Sequence, residues 1–167
     1  MHDRLTKSDI EKMEKEIEER KLVMRPELIE AVKEARAQGD LSENFEYYAA
    51  KREKNQNESR IRYLENMIKT AVIVEDRAGD DQVAMNKSVE VYFPDDDETE
   101  TFRIVTTIRG NSLKNLISID SPLGKALLHH RVGDEVHVKV GETGGYDVVI
   151  KAIGEAVDES EDEIRSF

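Results

Sequence analysis

The sequence predicts an α+β protein in two parts: a long antiparallel α-helical hairpin over residues 1–76, then a small antiparallel β-sheet with one helix over residues 88–155. Three observations carry this prediction. Apolar residues recur at spacings of three, four and seven from Ile10 to Ala35, as in the seam of a coiled coil. A second helical stretch follows after only Gly39-Asp40-Leu41, and so short a connection forces antiparallel packing. Beyond Val74 the pattern changes to short alternating stretches bounded by turn residues, the mark of strands.

The first helix is expected to start at Ser8, with Glu11 three residues on completing a capping box. Ile10, Met13, Ile17, Met24, Leu28, Ala31 and Ala35 form its inner face. Pro26 removes one backbone donor and crowds the preceding turn, so a kink or short break is expected near Met24–Pro26. The helix then resumes to Ala37, and Gly39 suits the position after its end. The second helix is expected from about Ser42 to Lys69, with Phe45, Tyr48, Arg52, Asn55, Ser59, Ile61, Leu64 and Ile68 turned inward. At ~1.5 Å per residue, an arm of about 30 residues reaches roughly 45 Å. Its base is apolar and its tip polar, which describes a projecting finger anchored at one end.

Residues 77–87 read as a linker. Ser88–Phe93 and Thr101–Val105 alternate as strands around the loop Pro94-Asp95-Asp96-Asp97-Glu98. Asn115–Asp120 is a third strand, and Ser121-Pro122 opens a short helix with proline in its first turn. Glu135–Val140 and Tyr146–Ile153 complete the order βββαββ, a sheet with a helix packed on it. Residues 156–167 are expected to be a disordered acidic tail, since six acids crowd into Glu155–Glu163.

Charged residues make up 37% of the chain and aromatics 5%, a balance that suits solvated helices better than a compact enzyme. No apolar run approaches a membrane span and no secretory signal is visible at the N-terminus, so the expectation is a cytoplasmic protein without membrane contact. The absence of cysteine excludes disulfides and thiolate metal sites. A net charge of −12 argues against nucleic acid as a general partner. The charge is uneven, however: residues 51–62 hold Lys51, Arg52, Lys54, Arg60 and Arg62 against Glu53 and Glu58.

The informative stretch is Gly39-Asp40-Leu41-Ser42-Glu43-Asn44-Phe45-Glu46-Tyr47. On local grounds alone Asp40 caps the second helix and Glu43 reaches back to it, because helix starts collect acids. In context this stretch resembles the tip motif of the Gre transcript-cleavage factors. Arg25-Pro26-Glu27, Ala49-Ala50-Lys51-Arg52, Phe102-Arg103-Ile104-Val105 and the run Leu116-Ile117-Ser118-Ile119-Asp120-Ser121-Pro122-Leu123-Gly124-Lys125-Ala126-Leu127-Leu128 extend the resemblance, in family order, over roughly residues 5–153.

The resemblance implies a coiled-coil hairpin joined to an FKBP-like domain that docks on the rim of the secondary channel of bacterial RNA polymerase. It implies a protein that is no enzyme by itself; because the hairpin supplies its own coiled-coil partner, a monomer suffices. The hairpin threads inward, and two tip acids, by position Asp40 and Glu43, help to hold a second Mg²⁺ with the polymerase. Acids three apart share one side of a helical turn, so both could face one ion. Two metals roughly 3.5–4 Å apart activate water and stabilise the leaving oxygen in phosphodiester hydrolysis, so the implied outcome is cleavage of backtracked RNA. Arg36 and Arg52 match positions that are positive near the tip in Gre factors. With Lys51 and Lys54 they are expected to contact the phosphates of the nascent RNA 3′ end; the plainer alternative is solvated helix residues in pairs such as Lys54–Glu58. Phe45 and Tyr48 are expected to pack across the tip.

Some Gre-like homologues enter the same channel and modulate or inhibit the polymerase without cleavage, and a plain coiled-coil adaptor is a further alternative. The spacing of Asp40 and Glu43 favours the cleavage factor. Thr106-Thr107-Ile108-Arg109-Gly110-Asn111 departs from the glycine and acidic loop usual in the family after Ile104-Val105. An FKBP-like domain with so few aromatics lacks the apolar pocket of a prolyl isomerase, and the four histidines form no metal-binding pattern.

Overall fold

The computed structural model describes residues 3–38, 44–75, 79–159 and 162–166. It divides into two compact units, one chiefly Ile10–Ala71 and the other Arg4–Asp9 with Val72–Ser166. No described helix is long and apolar enough to cross a membrane.

The hairpin consists of α1 (Lys7–Glu19), a π-helical turn (Arg20–Met24), α2 (Arg25–Ala37) and α3 (Phe45–Thr70). The start of α1 lies earlier than expected. Thr6, not Ser8, is the cap: the Asp9 carboxylate accepts from Thr6 N at 3.0 Å and Asp9 N donates to Thr6 Oγ1 at 3.2 Å, the reciprocal pairing of a capping box. Pro26 has no N–H for the Leu22 carbonyl, and its ring crowds that group. The backbone responds by widening one turn, with Arg25 N–H reaching back to Arg20 O. The predicted break is therefore a π-turn, and the chain stays helical through it.

Cross-arm bonds show the antiparallel register. Arg60 Nε bonds Glu16 at 2.8 Å, Arg20 Nη1 bonds Asn57 Oδ1 at 2.8 Å, and Arg25 grips Glu58 through Nε at 2.7 Å and Nη2 at 2.8 Å. From Glu16–Arg60 through Arg20–Asn57 to Ala35–Asn44 the numbers rise on one arm and fall on the other. Met13, Ile61 and Leu64 are buried below this polar layer. Burial works to raise the Glu16 carboxyl, but hydrogen bonds from Arg60 and Arg20 outweigh it and hold Glu16 below its ordinary value. Glu58 is the hydrogen-bonded partner of Arg25 across the hairpin, with Lys54, its partner in the plainer alternative, adding only a nearby positive charge.

The inner stripe of α3 differs from the expected one. Residues 47, 50, 54, 57, 61, 64 and 68 are buried or half-buried, a strict alternation of three and four. Phe45 is 85% exposed and Tyr48 49% exposed, so neither packs across the tip.

In the second unit, β1 (Arg4–Leu5) pairs in parallel with β2 (Val72–Ile73). The main sheet comprises β3 (Lys87–Phe93), β4 (Glu98–Val105), β5 (Leu116–Ser118), β6 (Glu135–Val140) and β7 (Gly144–Ala156), in the order β5-β4-β3-β7-β6. All neighbours run antiparallel except β4 and β5, where Arg103 pairs with Leu116 and Val105 with Ser118 in parallel. The alternating residues Val89, Val91, Phe102, Ile104, Val136, Val138, Val148 and Ile150 meet in one core. The helix α4 (Pro122–Leu127) packs chiefly against β6 and also touches β5. Ser121 Oγ caps α4 by accepting from Gly124 N at 3.0 Å, and donates to Ser118 O at 2.7 Å. A Cβ on Gly124 would stand 2.0 Å from the Ser118 carbonyl oxygen, so only glycine allows this approach. Val83, inside the stretch expected to be linker, is fully buried in the core.

Parallel strands cannot be joined by a tight turn, and the β4–β5 connection uses two 3₁₀ turns, Thr107–Arg109 and Ser112–Lys114. The first places Arg109 wholly inside, where its guanidinium meets Asp9 at 2.7 Å, Glu159 at 3.0 Å and Asp162 at 2.7 Å. Asp162 also pairs with Arg103, and Arg165 N donates to Ile108 O at 2.7 Å. The acidic segment expected to be disordered thus has partners at Glu159 and Asp162. A buried arginine requires counter-charges, and this segment provides two of them.

Candidate functional site

The arms meet where α2 ends at Ala37 and α3 begins at Phe45. Asp40 and Glu43 lie outside the described residues. Their immediate neighbour Asn44 is the N-cap of α3. Its Oδ1 accepts from Tyr47 N at 3.0 Å, and its Nδ2 donates to Ala35 O at 2.6 Å, tying the start of one arm to the end of the other. Asn44 therefore holds the capping role that local reasoning offered to Asp40.

Around Asn44 the described tip is cationic. Arg36 on α2 and Lys51 on α3 are exposed, and both approach the ring of Tyr47, with Arg36 Cζ 5.5 Å and Lys51 Nζ 6.0 Å from its centroid. Arg36 Nη2 also donates to Tyr47 Oη at 3.2 Å. That hydrogen bond, with the positive charges of Lys51, Arg36 and Lys54, holds the Tyr47 phenol below its ordinary value. Arg52 is exposed on another face. The geometry therefore brings Arg36 and Lys51 together and leaves Arg52 apart. Among the described residues no group of three or more His, Cys, Asp or Glu side chains could hold a metal.

Tyr47 is the residue that sequence reasoning missed. The signal was available: continuing the spacing of Ile68, Leu64 and Ile61 toward the tip gives 57, 54, 50 and 47.

Two family models match the chain, one over most of the hairpin unit and one over most of the sheet unit. "Transcription elongation factor, N-terminal" matches residues 4–73, and "Transcription elongation factor, GreA/GreB, C-term" matches residues 78–155. A transcription elongation factor GreA of Geobacillus kaustophilus is 47% identical over 150 residues, covering 89% of this chain and 93% of the relative. One of Thermotoga neapolitana is 44% identical over 147 residues, covering 87% and 94%. A crystal structure of GreA factor homolog 1 of Thermus thermophilus aligns with 93% of this chain and 100% of its own, at 30% identity and a TM-score of 0.43. With both units matched and close to half of the aligned residues identical, the chain belongs to the GreA/GreB family of transcription elongation factors.

Proposed function

We propose that this protein enters the secondary channel of bacterial RNA polymerase and stimulates the polymerase to cleave backtracked nascent RNA, with Asp40 and Glu43 as its donated carboxylates. The observation that carries the reading is that the Gly39–Tyr47 motif spans, in sequence, the connection from α2 to the first turn of α3, in a chain 47% identical to a transcription elongation factor GreA. The sheet unit docks on the polymerase, and the hairpin carries the bend to the reacting phosphate.

The donor chemistry at the bend fits Mg²⁺, a hard cation that takes oxygen ligands and commonly uses one or two carboxylates with substrate phosphate and water. Asn44 is no competing ligand, since its side chain is engaged by Tyr47 N and Ala35 O. Asp40 and Glu43 would hold this ion together with the polymerase, and it would there supply activation of water and stabilisation of the leaving oxygen of the RNA. Arg36, Lys51 and Arg52 offset the phosphate charge of the extruded 3′ end, an attraction that weakens with salt.

The test is addition of the protein to halted elongation complexes, followed by measurement of RNA length. Wild type is expected to shorten the RNA. Asp40→Ala with Glu43→Ala should bind the polymerase as before and produce no stimulated cleavage. Protein incubated with RNA and Mg²⁺ alone should cut nothing. Undiminished cleavage by the double variant removes the metal-donor role. Binding by wild type without any cleavage makes the chain a channel-binding modulator instead.

A further inference from the structure

Tyr47 is only 8% exposed although it stands between two exposed aromatics, Phe45 and Tyr48. It is the third residue of α3, at the end of the inner stripe, where Ala35 is the buried residue of the opposite arm. Its ring meets that of Tyr48 edge-on, with centroids 5.5 Å apart. The rest of its surroundings are cationic. Arg36 reaches it from one arm through both the ring face and the hydroxyl, and Lys51 reaches the same ring from the other arm. The negative face of an aromatic ring attracts cations, and the phenolic oxygen accepts one of the five guanidinium N–H bonds, leaving the others free to meet phosphate.

We infer that Tyr47 is a positioning residue: it assembles Arg36 of α2 and Lys51 of α3 around one ring, so that the phosphates of the extruded RNA meet a prearranged pair of cations. The inference rests on the function proposed above and extends it. Arginine and lysine side chains are among the most mobile, and ordering them on contact opposes binding. A ring that orders both beforehand removes part of that opposition. Arg52, which has no partner among the described residues, lacks this support. Tyr47 thereby divides the tip's basic residues into a held pair and a free one.

The experiment uses the full chain on halted elongation complexes, with the cleavage rate at saturation and the half-saturating protein concentration read separately. Tyr47→Leu, which removes both ring and hydroxyl, is expected to lower the saturating rate about tenfold. Tyr47→Phe, which keeps the ring, should lower it about threefold. The half-saturating concentration should not move in either, because the sheet unit does the docking. Adding Tyr47→Leu to Arg36→Met with Lys51→Met should cause little further loss, since a residue acting through those cations has nothing left to position. Tyrosine-ring NMR of the free protein gives a separate readout: Arg36→Met should raise the titration midpoint of Tyr47, and Tyr47→Phe should leave the remaining spectrum folded.

A full saturating rate in Tyr47→Leu, while Asp40→Ala with Glu43→Ala is inactive, overturns the positioning role and leaves the function standing. Additive losses in the combined variant overturn it as well, as does an unchanged Tyr47 midpoint in Arg36→Met. Binding of the polymerase by wild type without any cleavage instead overturns the functional reading, and the phosphate-facing role with it.

Discussion

Asn44 uses its side chain on both arms of the hairpin, accepting from Tyr47 N and donating to Ala35 O. Replacing it with alanine removes the cap of α3, at a cost of about 1 kcal/mol, and frees the Ala35 carbonyl. Asn44→Asp can still accept from Tyr47 N but cannot donate to Ala35. Hydrogen exchange separates the two effects. The amides of Tyr47 and Tyr48 should lose protection in Asn44→Ala and largely keep it in Asn44→Asp. Equal protection in Asn44→Ala would show that packing, and not the cap, holds the first turn of α3. The cap was hard to read from the sequence because Asp40, Ser42, Glu43 and Asn44 all belong to residue types that start helices. The helix phase was also ambiguous near the bend. Phe45, Tyr48, Arg52, Asn55 and Ser59 form one three-four stripe, and residues 47, 50, 54 and 57 form another. Only the second joins Ile61, Leu64 and Ile68 without a slip, so the apolar base decides which aromatic turns in at the tip.

Among the elements, the alternating strands and the Ser121-Pro122 helix start were legible, because each rests on a pattern a few residues long. The parallel β4–β5 pairing and the Arg109 cluster were not legible. They join Asp9, Arg109 and Asp162, which no local period relates. The 3₁₀ turn Thr107–Arg109 and the carboxylates of Glu159 and Asp162 form one device, since the buried guanidinium of the first needs those counter-charges. Burial works to raise the Asp162 carboxyl, but hydrogen bonds from Arg103 and Arg109 outweigh it and hold it below its ordinary value. A depressed folded-state value means that the stabilisation is complete above the unfolded carboxyl value of about 3.9 and is lost as pH falls through the folded one. Asp162→Asn should therefore destabilise the sheet unit by about 2 kcal/mol at neutral pH, with Asp9 and Glu159 still partnering Arg109. The deficit should shrink below about pH 4, as wild type loses the same charge. Urea unfolding followed at the amides of β4 and β5 at pH 7 and pH 3 measures both. A deficit that stays constant between the two would mean that the carboxylate charge is not what holds the segment.

Across the whole molecule, a net charge of −12 must coexist with the attraction to RNA proposed for the tip. The basic run 51–62 is less available than its composition suggests. Arg60 is buried against Glu16, and Arg62 Nη2 donates to Ser59 Oγ. Lys51, Arg52 and Lys54 remain toward the bend, with Arg36 facing them from α2. So few cations on an acidic molecule cannot hold free RNA at physiological salt, where each phosphate contact contributes only a log–log salt slope of about −0.7 on a single strand. They can act once docking has brought the RNA to them, because the encounter is then intramolecular and the local concentration is high. Fluorescence anisotropy at about 0.15 M salt should accordingly show no binding of a labelled RNA oligonucleotide to the free protein. In saturated elongation complexes, Arg52→Glu should slow cleavage of long backtracked RNA and make the salt slope shallower by about 0.7. An unchanged rate and slope would return Arg52 to the status of a solvated helix residue. Tight binding of free RNA would mean that the local basic face dominates the acidic whole, and docking would then not be needed to explain how RNA reaches the tip.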